Sequence, residues 1–169
     1  MGCIGMHHGL RFYRRHSTVF LHVYLLGGKL SRLPLVGTLI RAVANAYGFH
    51  AHASYSLSLQ EAKQVVELSH VIALGPCSCR QVSHHCHTSE NTELIIGVGT
   101  EVLPQLRKYE SITSERAKSL LEDWHQQGLF HTLMRYRGSF YALCNCCRCC
   151  CVPTRLRADY GISGAQIKR

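Results

Sequence analysis

Aspartate and glutamate are absent from the first sixty residues, which carry six lysines or arginines; the rest of the chain holds thirteen basic and ten acidic residues. The net charge of +9 is therefore concentrated in the N-terminal third. Such a stretch can meet an anionic lipid surface, a nucleic acid or an acidic protein, or be a solvated basic face, and charge alone does not choose. Also missing is the run of about 20 uninterrupted apolar residues that a spanning helix needs. The apolar stretch from Leu33 to Tyr47 is broken by Pro34 and Arg41. Phe20–Leu26 is short, and Gly27-Gly28 leads to Lys29 and Arg32 without a convincing cleavage site, so no secretory signal is indicated. A cytoplasmic location is expected, with peripheral membrane contact through residues 17–47 left open. The chain shows no Ser-His-Asp, paired-carboxylate, P-loop or HExxH arrangement, and Gly97-x-Gly99 lacks the third glycine of a dinucleotide fingerprint. Nothing here marks an enzyme.

What the chain has in excess is cysteine. Nine of its ten cysteines fall into two groups: Cys77, Cys79 and Cys86, then Cys144, Cys146, Cys147, Cys149, Cys150 and Cys151. Adjacent cysteines such as Cys146-Cys147 rarely satisfy bridge geometry with separate partners, so disulfides fit poorly. Metal binding in a reducing compartment fits better.

A chain of 169 residues has the length of one domain, or of one domain with an appended arm. Residues 1–16 read as a polar, basic start. Residues 17–28 suit a short helix stopped by Gly27-Gly28, and 35–47 an amphipathic helix capped by Gly48. The His50-x-His52 pair reads as polar surface. Ser58-Leu-Gln-Glu61 is a capping box opening a helix to about Ser69, and Val71–Leu74 is a buried strand that runs through Gly75-Pro76 into a loop carrying Cys77 and Cys79. Leu94–Gly99 suits another strand, followed by a turn or helical segment to Tyr109. Thr113 caps a helix whose Ala117, Leu120, Leu121 and Trp124 share one face before Gly128. Leu129–Tyr136 and Ser139–Leu143 suit a hairpin turning at Arg137-Gly138 and leading to Cys144. The expected fold is α+β: a small mixed domain with short strands and cysteine-rich loops over 54–169, preceded by a basic helical arm over 1–53.

Between Cys144 and Cys151, eight positions hold six thiols, and Cys144, Cys147 and Cys150 form a CxxCxxC run. That spacing wraps three corners of a cubane cluster, as in bacterial ferredoxins. Their fourth cysteine would fall at Thr154 with a proline after it, whereas here Pro153 comes one residue before that position, so a plain ferredoxin assignment fails. The missing corners can come from Cys77, Cys79 and Cys86. Zinc is the alternative, although four-cysteine zinc sites usually keep their CxxC pairs apart rather than overlapping. His84, His85 and His87 flank Cys86 and could replace a thiolate as in Rieske centres, or remain a solvated loop. Arg80 and Arg148 lie within the groups, where a cation favours the reduced cluster.

Cys77-Ser-Cys79-Arg80, then Cys86, the helix ending in Gly128-Leu129, and Cys144-Asn-Cys146-Cys147-Arg-Cys149-Cys150-Cys151 together resemble ferredoxin-like four-iron proteins of anaerobic bacteria and archaea. The resemblance covers residues 58–152. It implies 4Fe-4S binding and electron transfer. The family pattern has one more cysteine after the position of Cys86, in the region that here reads Thr92-Glu93-Leu94.

The reading is an iron–sulfur electron carrier or redox module rather than an enzyme. Its ligands are drawn from Cys77, Cys79, Cys86, Cys144, Cys146, Cys147, Cys149 and Cys150. One 4Fe-4S cluster is expected and thiols suffice for two, with zinc as the alternative cofactor. The expected partner is an acidic redox protein or enzyme met by the basic third. The alternative is an iron–sulfur or zinc regulator that binds nucleic acid, since a helix followed by a hairpin bearing Arg135 and Arg137 is a fragment that winged-helix proteins share; a full helix-turn-helix is missing.

Overall fold

A computed structural model describes residues 2–83, 89–102 and 109–167, with side chains from His7 onward. Three helices come first: α1 (Gly2–Arg15), α2 (Ser17–Leu30) and α3 (Gly37–His50). There follow β1 (His52–Leu57), α4 (Leu59–Glu67), β2 (Ile72–Pro76), α5 (Ser78–Ser83), β3 (Asn91–Ile95) and α6 (Val98–Val102). The chain then forms β4 (Glu110–Ile112), α7 (Ser114–Gln126), β5 (Phe130–Tyr136), β6 (Ser139–Cys146) and α8 (Val152–Tyr160), with a last 3-10 turn at Ser163–Ala165. The six strands make one antiparallel sheet in the order β1-β5-β6-β3-β2-β4. The fold is thus the α+β mixture that the alternating apolar patterns indicate.

Local chemistry sets several of these elements. At α4, the Glu61 amide donates to the Ser58 hydroxyl (3.3 Å) while the Ser58 amide donates to the Glu61 carboxylate (2.8 Å), a complete capping box. Thr113 caps α7 by accepting from the Arg116 amide. The β5–β6 turn uses Arg137 (φ 44°) and Gly138 (φ 91°), the two left-handed positions of a tight hairpin.

The two faces of the sheet bury different material. On one, α4 and α7 cover Leu94, Leu133 and Leu143 with Ala62, Val66, Ala117, Leu121 and Trp124. Fully burying a side chain such as Val66 or Leu121 contributes roughly 1.5–3 kcal/mol. On the other face, Ile95, Ala142, Cys144 and Cys146 meet Leu10 and Tyr13 of α1. Alternation along β6 puts Cys144 and Cys146 on this second face and Leu143 on the first. A bulge between Met134 and Arg135 leaves Tyr141 without a partner in the register, and this turns Tyr141 onto the face of Ala142 and Cys144.

Five expectations change, the first being the strand over Leu94–Gly99: it begins at Asn91 and ends at Ile95, and Gly97 (φ 52°) turns the chain into α6 at Val98. α2 does not stop at Gly27-Gly28 but runs on to Leu30, because Gly28 serves packing: a Cβ there would lie 2.7 Å from the Tyr160 ring. Gly48 likewise lies inside α3, pressed against the Gly164 carbonyl, rather than capping it. The Cys77–Arg80 segment is not a loop, since α5 begins at Ser78 and carries Cys79. His52 is not surface; it is buried, with Nε2 2.7 Å from the Tyr141 hydroxyl.

α1 is fastened by charge. Arg14 Nη1 and Nη2 donate to the two Glu93 oxygens at 2.8 and 2.6 Å, and Nη2 also meets the Tyr109 hydroxyl. Both side chains are buried, so each charge depends on the other for the solvation it has lost.

Candidate metal centre

Two routes deliver the thiols to one place. β6 carries Cys144 and Cys146, a turn carries Cys147–Cys150, and Cys151 is the N-cap of α8, whose first turn holds Pro153. From the other side, β2 ends at Pro76 and leads through Cys77 into α5 with Cys79. Asn145 locks β6 between its two cysteines: its Nδ2 donates to the Thr92 carbonyl at 3.0 Å, and its Oδ1 lies 2.7 Å from His131 Nδ1.

The thiols sort into an inner and an outer set. In the inner set, the Cys79 thiol interacts with those of Cys77 and Cys151, and the Cys146 thiol with that of Cys151. Cys144 lies alongside, its thiol donating to Glu93 at 3.5 Å. In the outer set, Cys149 Sγ is 3.3 Å from Cys147 and 3.8 Å from Cys150, all three within 4.8 Å. Cys149 is exposed, whereas Cys150 is buried. These clustered thiols can hold metal. The structure thus brings Cys77 and Cys79 together with Cys146, as the two-group reading requires. Cys86 and the three histidines beside it lie outside the described residues.

Within the inner set the protons are unevenly held. Donation from Cys146, Cys79 and Thr154 pulls the Cys151 thiol well below the usual range. Donating to Cys151 pushes Cys146 and Cys79 up, while burial and then the Glu93 carboxylate push Cys144 up. Cys77 is lowered by its bond from Cys79. Cys151, at a helix N-terminus, is therefore the first thiolate available to a metal, and each further ligand releases a proton on binding. Thr154, standing where a ferredoxin would have its fourth cysteine, contributes one of these donors.

A buried cation adjoins the thiols. Arg80 is 3% exposed; its guanidinium donates to the Ser89 carbonyl at 3.1 Å and reaches the Asn145 carbonyl at 3.5 Å, while Nε has no partner. Among the described residues no carboxylate pairs with it. A buried guanidinium needs a counter-charge, and Arg80 directly follows Cys77-Ser78-Cys79 in the chain, with its backbone amide lowering the Cys77 thiol.

Glu93, Arg14 and Tyr141 lie against the thiols without any motif spacing that reveals them, and Cys151, part of the cysteine run, joins the inner set although it is not among the expected ligands. Comparison with protein-family models, with curated proteins and with solved structures finds no significant match to this chain. Among the described residues no helix is long and apolar enough to cross a membrane.

Proposed function

We propose that this chain is an iron–sulfur protein that carries electrons, with the inner and outer thiol sets as its cluster ligands. The observation that carries the reading is the convergence of eight thiols, from two distant stretches of chain, into two adjoining sets beside the buried cation Arg80. A single zinc site uses four ligands; eight thiols exceed that need, and a cluster ligated by thiolates is an anion that Arg80 would offset. Cys77, Cys79, Cys146 and Cys151 would hold one cluster. Cys147, Cys149 and Cys150 would hold a second, and the Ser83 hydroxyl of α5 donates to the Cys150 carbonyl at 3.2 Å. Once bound, such clusters supply one-electron transfer. The resemblance to ferredoxin-like four-iron proteins points the same way.

Zinc has an observation of its own. Four sulfurs at about 2.3 Å from one tetrahedral ion lie roughly 3.8 Å apart, close to the 3.3 and 3.8 Å of the outer set. Anaerobic purification separates the two: iron, sulfide and a brown colour support the proposal, whereas a colourless protein containing zinc refutes it.

For partners, the exposed outer edge with Arg148 and Cys149 suits an acidic redox protein. A second face suits a bilayer: Val19, Val23, Leu26 and Leu30 form an exposed apolar stripe on α2, continued by Leu35, Leu39 and Val43, with Lys29, Arg32 and Arg41 among them. Co-sedimentation with anionic vesicles that weakens in salt tests this membrane contact, and absence of sedimentation removes it. The hairpin of the nucleic-acid alternative lies inside the sheet, with Arg135 donating to the Phe49 carbonyl at 2.7 Å; salt-dependent binding to random DNA would revive that alternative.

A further inference from the structure

Between α2, α3 and the sheet lies a cavity of about 570 Å³, within the range of small-molecule sites. Val23, Leu39 and Val43 line it and are more than half exposed, so they mark a mouth that opens on the apolar stripe of α2 and α3. Its floor is polar and buried. There His52 Nε2 meets the Tyr141 hydroxyl at 2.7 Å, and either tautomer of His52 leaves one hydrogen of the pair uncommitted. Nearer the mouth the Tyr24 and Tyr47 hydroxyls lie 3.1 Å apart, again with one spare hydrogen. Arg14, the cation in the wall, is paired with Glu93 through both terminal nitrogens, while its buried Nε has no partner. Among the described residues the lining therefore offers neutral donors and a cation whose charge Glu93 balances, which disfavours carboxylate or phosphate ligands and suits neutral carbonyl oxygens on an apolar body.

Gly27 is an independent sign of a ligand. It lines the cavity from within α2, where glycine is destabilising relative to alanine. Its φ is not left-handed, and a Cβ built on it meets no atom within 4 Å. Neither backbone nor packing explains this residue; room in the cavity does. The neighbouring Gly28, by contrast, is accounted for by Tyr160.

We infer that this cavity binds a lipid-soluble quinone, admitted through the apolar face of α2 and α3 with its carbonyl oxygens directed to the tyrosine and histidine donors. Quinones are the neutral, lipid-soluble dicarbonyl rings that exchange electrons, and Cys77, Cys79 and Cys144 line the same cavity. The choice of a redox ligand rests on the iron–sulfur reading; the shape and polarity of the site do not.

The test is equilibrium dialysis of the intact, anaerobically purified chain against 2,3-dimethyl-1,4-naphthoquinone, whose methyl groups block addition of thiols, with 2,3-dimethylnaphthalene as the hydrocarbon control. Saturable binding of one quinone per chain is expected, with the hydrocarbon at least about tenfold weaker. Gly27→Phe, which fills open space, and Val43→Trp at the mouth should each weaken quinone binding by about tenfold or more while leaving the thermal unfolding midpoint in place. Non-saturable binding, equal affinity for the hydrocarbon, or folded variants that bind as the parent does would overturn the inference. A colourless zinc protein that binds the quinone would refute the iron–sulfur reading and uphold the site. A brown protein that does not bind it would do the reverse.

Discussion

Replacing Arg14 with methionine keeps most of the side chain's length and removes its charge. Glu93 would then be a buried carboxylate, its side chain 3% exposed, that has lost both guanidinium contacts, at 2.8 and 2.6 Å. Breaking a buried pair from one side costs about 3–5 kcal/mol, because the remaining Glu93 charge has lost its counter-ion and keeps only the Tyr109 hydroxyl and the Cys144 thiol as donors. For a chain of this length each kcal/mol lowers the unfolding midpoint by about 2–4 °C, so the Arg14→Met midpoint should fall by about 6–20 °C. The double variant Arg14→Met/Glu93→Leu removes the stranded charge and should recover much of the loss. Unfolding would be followed by circular dichroism under reducing, anaerobic conditions for parent, single and double variants. A single variant within about 1 kcal/mol of the parent, or a double variant as unstable as the sum of its parts, would refute the claim that this ion pair fastens α1 to the sheet.

Burial, and then the Arg14 charge, lower the His52 imidazole to about 4. The unfolded chain takes up that proton near pH 6.5. Stability should therefore be full above about pH 6.5 and fall by about 1.4 kcal/mol per unit, roughly 3 kcal/mol in all, as the pH drops to about 4; denaturant titrations of parent and His52→Gln would show this slope reduced in the variant, and an unchanged slope contradicts the assignment. Cys151→Ser should empty the inner set and Cys149→Ser the outer, each leaving the other's metal, so complete loss of metal from either single variant argues against two sets. Gly27→Ala should be neutral or stabilise by about 0.5–1 kcal/mol, whereas Gly48→Ala, pressed on the Gly164 carbonyl, should destabilise; equal effects in thermal melts would contradict the packing described. Arg80→Leu should shift the potential of any bound cluster to more negative values in a spectroelectrochemical titration, since removing a nearby cation disfavours the reduced form.

Where structure follows from neighbouring residues, it was legible in the sequence. Ser58 and Glu61 write their capping box three residues apart, Thr113 and the apolar face of α7 are read in one window, and Arg137-Gly138 names its hairpin turn. The two cysteine groups and the strand that leads into each were legible for the same reason. Long-range choices were not. Arg14 finds Glu93 across 79 positions, and nothing near Arg14 distinguishes it from the other cations of a basic segment. His52 looks polar until the bulge in β6 brings Tyr141 to it. Glycines were read as stops because a local window sees only their flexibility, whereas Gly28 and Gly48 are required by Tyr160 and Gly164. α5, which follows Cys77, shows no capping pattern, and α8, which follows Cys151, has Pro153 in its first turn as its one local start signal.

The most direct test of the metal assignment is a count of iron and acid-labile sulfide per chain on protein purified without oxygen, with zinc measured in the same sample. The account predicts a brown protein containing iron and sulfide in comparable amounts, both lost when Cys79 and Cys151 are replaced along with Cys147 and Cys149. A colourless protein with zinc and no sulfide, or one with no metal at all, would contradict it.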